Sequence, residues 1–151
     1  MKPISSYTDP KQLLTIMENA KRLGRMDVYW EAFRRRCELL GKEAKDLDPS
    51  DPLHLDFGAT LAAYEQLLSE KNNRTTIAMR TRSKIQNKGV VQSLIDWALA
   101  KTPTTGFDLL MKNGMESLTG EALIVKYADR FPLHVVDAAQ ARIENYRRTA
   151  Q

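Results

Sequence analysis

The sequence predicts an all-α protein, a compact bundle of about seven to eight short helices. Apolar residues recur at helical spacing through almost the whole chain, and most of these stretches begin and end with helix-capping residues. Apolar–polar alternation, which is typical of a half-buried strand, is convincing nowhere. The best strand candidate, residues 122–125, follows Thr119, whose hydroxyl favours the start of a helix. We therefore expect no sheet.

The first 41 residues predict a helical hairpin. Thr8-Asp9-Pro10 is typical of a helix start, and Gly24 is typical of a helix end. Asp27 is expected to cap a second helix, which should end at Gly41. Because the connection between the two helices is so short, we expect them to lie antiparallel.

A linker is predicted at residues 42–52, KEAKDLDPSDP, between the hairpin (residues 1–41) and a helical domain (residues 53–151). Packing of the two parts as one domain is kept as an alternative. Five or six further helices follow. They are a third helix from about Pro52 to Lys71, a fourth at 74–88, a fifth from Val90, a short one at 107–112, one capped by Thr119 that reaches Phe131, and a last one after Pro132.

Charge is distributed unevenly along the chain. Residues 1–70 carry ten basic and twelve acidic groups, and residues 102–151 carry six of each. Residues 71–101 carry seven basic groups and Asp96 as their one acid, so the whole excess of positive charge lies there. This concentration favours an anionic partner at a defined site over a general contribution to solubility.

The fourth helix carries most of this charge. Projected at 100° per residue, its apolar seam lies opposite a neutral face that contains Thr75, Thr76, Met79, Ser83 and Gln86. Basic side chains flank that face on both sides. In a DNA major groove such flanks would contact phosphates, while the neutral hydrogen-bonding groups would meet base edges. We therefore predict ten contact residues: Lys71, Arg74, Thr75, Thr76, Arg80, Arg82, Ser83, Lys84, Gln86 and Lys88.

The function predicted from this pattern is that of a small non-enzymatic nucleic-acid-binding protein. Duplex DNA is favoured over RNA or a single strand, because residues 71–90 contain no aromatic ring on which a base could stack. The basic stretch has a simpler interpretation, a solvated face that pairs with carboxylates such as Glu65 or Glu70. Two other functions stay open. One is a protein-interaction adaptor that uses the third helix or Tyr29, Trp30 and Phe33, and the other is a nuclease whose acids assemble only in the fold.

No catalytic, metal or cofactor site is predicted. His54 and His134 have no metal-ligand partner at a suitable spacing, and Cys37 lies on the apolar side of a helix, as a core residue would. Arg34 to Arg36 are expected on a solvated face, and they would extend the phosphate contacts if they lay near the fourth helix. Arg147 and Arg148 are expected as favourable charges at a helix C-terminus.

No stretch is apolar for long enough to span a bilayer, and a single cysteine fits a reducing compartment. We expect a cytoplasmic protein of bacterial or phage origin that does not associate with membranes. A homodimer is kept as an option.

Overall fold

The computed structural model describes residues 2–74 and 76–150, without the side chain of Arg80. Within these ranges the chain forms seven α-helices and three short 3₁₀ turns, and it contains no strand. The helices are α1 (Pro10–Arg22), α2 (Met26–Lys42), α3 (Pro52–Asn72), α4 (Met79–Leu99), α5 (Thr105–Lys112), α6 (Gly120–Lys126) and α7 (Leu133–Thr149). The predicted all-α class is confirmed.

The contacts divide the chain into two units, Met1–Ala63 and Tyr64–Gln151. The division lies inside α3, whose first part belongs to the first unit and whose last turns belong to the second. The predicted linker at residues 42–52 lies within the first unit. The domain organisation drawn from the sequence stays a prediction.

In the first unit, α1 and α2 form the predicted hairpin. The Asp9 carboxylate accepts a hydrogen bond from the Lys11 N–H at 2.9 Å, which caps α1, and Gly24 ends the helix with a φ of +74°. The facing sides of the two helices bury Leu13, Met17 and Phe33. The local capping signals were therefore sufficient to place α1.

Both predicted ends of α2 are wrong. The helix begins at Met26, so Asp27 lies in its first turn, where it forms an ion pair with Arg25 at 3.3 Å. At the other end the helix continues through Gly41 to Lys42. Gly41 serves a close helix contact there, because a Cβ on this residue would lie 2.6 Å from the backbone nitrogen of Ala59 in α3. The glycine is explained by packing between α2 and α3 and not by chain termination.

In the second unit, threonine hydroxyls cap two helices. Thr104 Oγ1 accepts the Phe107 N–H, and Thr119 Oγ1 accepts the Ala122 N–H, each at 3.1 Å. The predicted start of α5 at residue 107 is therefore two residues late. The predicted continuation of α6 to Phe131 is also wrong, since α6 ends at Lys126 and a 3₁₀ turn, Ala128–Arg130, leads to Pro132. Helices α4 to α7 each contribute fully buried side chains to the core of this unit: Leu94, Phe107, Leu110, Ile124 and Val135.

A break divides α4 at Gly89, where φ is +87° and ψ is 172°. The predicted end at Lys88-Gly89 and the predicted new start at Val90 agree with this break. The second segment is buried through Val90, Leu94 and Ala98. Its C-terminal end is held by Arg142 of α7, whose guanidinium donates to the Trp97 carbonyl at 2.9 Å and pairs with the buried Glu121 at 3.0 Å. The first segment, Met79 to Lys88, is therefore joined to a second segment that is packed in the core.

Candidate nucleic-acid interface

The fourth helix begins later than the sequence predicts. α3 ends at Asn72, Asn73 adopts a left-handed φ of +53°, and residues 76–78 are not helical, so α4 starts at Met79 and not at residue 74. Hydrogen bonds to α3 explain this. The Thr76 N–H donates to Ser69 Oγ at 2.8 Å, and the Ala78 N–H donates to a Glu65 carboxylate oxygen at 2.8 Å. These bonds hold the approach to α4 against α3 in a loop conformation.

Arg82 is bound by Glu65. Its Nε and Nη2 atoms donate to the two Glu65 carboxylate oxygens at 2.6 and 2.7 Å, in bidentate geometry. The Glu65 side chain is 14% exposed and the Arg82 side chain 41%. The alternative that Glu65 pairs with the basic stretch is thus confirmed for this residue. Arg82 thus positions the start of α4, a structural role beside the contact role predicted for it, which stays a prediction.

Lys84 also has a carboxylate partner. Its ammonium lies 3.0 Å from Asp96 Oδ2, so the ion pair joins the two segments of α4 across Gly89. Asp96 accepts a second hydrogen bond from Gln92 Nε2 at 2.9 Å. The Gln92 hydrogen bond first, and then Lys84, lower the pKa of Asp96 below its ordinary value. Both members of the pair are about a third exposed, and such a pair contributes only about 0–1 kcal/mol to stability.

The described side chains on the outer face of the first segment are neutral. Met79, Ser83, Gln86 and Asn87 are exposed on it, and Ile85 is buried beneath. Thr76 does not belong to this face. It is half-buried, and its hydroxyl donates to the Arg74 carbonyl at 3.0 Å. The predicted contact residue Thr75 and the side chain of Arg80 lie outside the part of the chain that the structure describes.

Three of the predicted basic residues stay open to a partner. Lys71, Arg74 and Lys88 are exposed, and none of them forms an ion pair with a described residue. Lys71 lies in the last turn of α3, Arg74 in the loop that follows, and Lys88 at the end of the first segment of α4. The predicted site therefore separates into exposed cations around a neutral face and residues, Arg82 and Thr76, that hold the loop and the helix start.

Sequence reasoning missed the structural role of Ser69 and Asp96. The hydrogen bond of Asp96 with Gln92 could have been recognised, because the two residues are four apart on a predicted helix and Asp96 is the one acid among residues 71–101. Ser69 carries no comparable signal. Its bond to Thr76 depends on a reversal of the chain at Asn73, which places residues 76–78 beside α3.

The other residues considered for chemistry have structural surroundings. His54 Nδ1 accepts the Asp48 N–H at 2.9 Å, and His134 is exposed. Cys37 is buried, and burial raises the pKa of its thiol to about 12. In the part of the chain that the structure describes, no three His, Cys, Asp or Glu side chains are grouped so that they could hold a metal ion.

Of the two remaining arginine groups, one differs from its predicted setting and the other, Arg147 and Arg148 in the last turn of α7, agrees with it. Arg34 to Arg36 are half-buried instead of lying on a solvated face, and Arg35 Nε donates to the Tyr7 carbonyl at 3.0 Å. Arg147 lies in the last turn of α7, where its charge was predicted to be favourable, and it also pairs with Glu116 at 2.8 Å.

Comparison of the chain with protein-family models, with curated proteins and with solved structures found no match. None of the described helices combines the length and the apolar character needed to cross a membrane.

Proposed function

We propose that this protein binds nucleic acid, with duplex DNA as the preferred form, and that it does so without a catalytic step. The surface proposed for contact comprises Lys71, Arg74, Arg80, Lys84, Lys88 and the neutral residues Ser83 and Gln86. The observation that carries the proposal is the set of exposed cations that form no ion pair with a described residue, Lys71, Arg74 and Lys88, around an acid-free helix segment. Phosphates would neutralise these cations and release bound counterions.

Neighbouring carboxylates do not oppose this proposal. Glu65 is engaged by Arg82 and by the Ala78 N–H, and Asp96 is engaged by Lys84 and Gln92. The negative charges of Glu65 and Asp96 are therefore matched locally. Because the Lys84–Asp96 pair is weak, a phosphate can compete for Lys84 at little cost.

The contact pattern differs from the one predicted from the sequence. A helix that starts at Met79 offers Ser83 and Gln86 to base edges, with Lys88 at one end and the loop cations Lys71 and Arg74 at the other. Arg82 and Thr76 support this surface from behind. Because fewer neutral residues of α4 than predicted can meet base edges, we expect contacts to phosphates to contribute more of the affinity than contacts to bases.

A protein-interaction adaptor is the second candidate, on different residues from those predicted. Tyr29 and Phe33 are buried, and so is α3 from Phe57 to Ala63, so these parts offer little surface. Ile77 and Met79, at 49% and 60% exposure, favour an apolar contact at the start of α4 instead.

A charge-removal experiment tests the proposal. The variant Arg74→Gln/Lys88→Gln is compared with the wild type by fluorescence anisotropy on a labelled mixed-sequence DNA duplex. We expect binding about tenfold to a hundredfold weaker, because two charge-assisted contacts are lost. Far-UV circular dichroism and the unfolding midpoint should stay unchanged, since both side chains are exposed.

The matched control is Lys112→Gln/Lys126→Gln, which removes the same charge from exposed residues of α5 and α6. It should bind the duplex within about threefold of the wild type, because only the screened net charge changes. Equal binding by the test variant and the wild type would contradict the proposal. An equal loss in both variants would also contradict it, because attraction would then follow net charge and not this surface.

A further inference from the structure

An apolar cavity of about 460 Å³ lies in the second unit, between the last turns of α3, the start of α4 and the first turn of α5. Its walls are the side chains of Tyr64, Leu67, Leu68, Trp97 and Leu109. This volume is within the range of small-molecule pockets, roughly 300–1,000 Å³. The nucleic-acid proposal makes no use of this space.

The aromatic wall of the cavity is held in place by close packing. The rings of Tyr64 and Trp97 lie edge to face, with their centroids 5.1 Å apart. A Cβ on Gly106 of α5 would lie 2.3 Å from the Tyr64 ring, so this glycine lets the helix approach the ring. Burial raises the pKa of Tyr64 well above its ordinary value, so its hydroxyl is neutral at physiological pH. The wall is therefore preformed and uncharged.

One charged group lines the cavity among the described residues, and it is basic. Lys71 borders the space, is exposed, and has no ion-pair partner in the described part of the chain. No described carboxylate lines the same space. An apolar chamber with a single accessible ammonium is complementary to an apolar molecule that carries one negative charge.

We propose that this cavity binds a small amphipathic carboxylate, with its apolar body against Tyr64, Trp97 and Leu109 and its carboxylate at the Lys71 ammonium. A ligand in this position also contacts Ala78 and Thr81, which line the same cavity at the start of α4. This site shares Lys71 with the surface proposed for nucleic acid, but its binding of a small carboxylate can be tested in the absence of nucleic acid.

The test compares three probes that separate the apolar and anionic contributions: octanoate, octanol and acetate. Binding is measured by isothermal titration calorimetry and by Trp97 fluorescence. The fluorescence is recorded in a Trp30→Phe background, so that Trp97 is the one tryptophan of the chain. We expect saturable binding of one octanoate per chain with a change in Trp97 emission. Octanol should bind about two- to fivefold more weakly, as the loss of one exposed ion pair implies, and acetate should not bind.

Two variants locate the probe. Lys71→Gln should abolish the preference for octanoate over octanol and keep the binding of octanol, because only the charge is removed. Leu109→Gln, at a half-exposed wall position, should weaken octanoate and octanol together by at least about fivefold.

Absence of saturable octanoate binding to the wild type would overturn the inference. So would a preference for octanoate that survives in Lys71→Gln, or binding that Leu109→Gln leaves unchanged. Lys71→Gln alters an exposed side chain and is expected to fold, so the charge test does not depend on the stability of the Leu109 variant.

Discussion

Glu65 connects the basic stretch to the rest of the second unit. One carboxylate accepts the Ala78 N–H and both donors of Arg82, and its charge is compensated although the side chain is mostly buried. A carboxylate near the N-terminus of α4 is also favoured by the helix dipole. The ion pair with Glu65 therefore gives Arg82 a structural role. This role distinguishes Arg82 from the exposed cations Lys71, Arg74 and Lys88.

Cys37 illustrates how burial decides the chemistry of a side chain. It is 1% exposed on α2, and burial raises the pKa of its thiol to about 12, so the thiolate is essentially absent at pH 8. We expect no reaction of the native protein with Ellman's reagent over the time in which the protein in concentrated urea releases one equivalent per chain. Rapid labelling of the native protein would contradict the placement of Cys37 in the core.

Among the helices, α4 is the one whose shape determines the candidate site. Gly89 breaks it, the second segment packs into the core, and the first segment carries the exposed neutral face. The Ser93 hydroxyl donates to the Gly89 carbonyl at 2.8 Å, and the Lys84–Asp96 pair spans the break. The direction of the exposed segment therefore depends on one backbone conformation.

A Gly89→Ala variant tests that dependence. The φ of +87° and ψ of 172° at this residue belong to a region that is essentially restricted to glycine, whereas a Cβ there would meet no atom within 4 Å. Any loss of stability in Gly89→Ala is therefore due to backbone strain and not to a steric clash. We expect the free energy of unfolding to fall by about 1–3 kcal/mol in urea denaturation.

The control for this variant is Asn87→Ala, an exposed position in the helical segment just before the break, which should change stability by less than about 0.5 kcal/mol. A Gly89→Ala variant as stable as the wild type would show that the chain does not need the break.

Local signals predicted a large part of these elements. Asp9 with Pro10, Thr119, and the glycines at 24 and 89 lie where the sequence places helix ends, because capping and positive φ depend on a few neighbouring residues. Errors occurred where distant residues decide. Gly41 continues a helix because α3 lies against it, and residues 76–78 leave the helix because Ser69 and Glu65 bind their backbone.

The same contrast between local signals and contacts with distant residues holds for the candidate site. The exposed neutral face could be predicted from periodicity, since Met79, Ser83 and Gln86 share one side of any helix that contains them. The partners of Arg82 and Lys84 could not be assigned, because each ion pair depends on how segments separated in sequence are brought together.

Considered over the complete chain, the positive charge is concentrated in one part of the second unit. The chain has a net charge of +4, yet residues 71–101 alone carry seven basic groups against one acid. The first unit has no such excess, and its arginines at 34 to 36 are half-buried. The proposed anionic partner is therefore expected at the second unit, with Lys71, Arg74, Arg80, Lys84 and Lys88 as its proposed phosphate contacts.

The most direct measurement is the salt dependence of binding by the wild-type protein to a mixed-sequence DNA duplex, with single-stranded DNA and RNA of the same length in parallel. Neutralisation of four or five phosphates predicts that log K falls with log salt concentration with a slope of about −3 to −5, and we expect the duplex to bind most tightly. Absence of binding at low salt, or a slope near zero, would contradict the account.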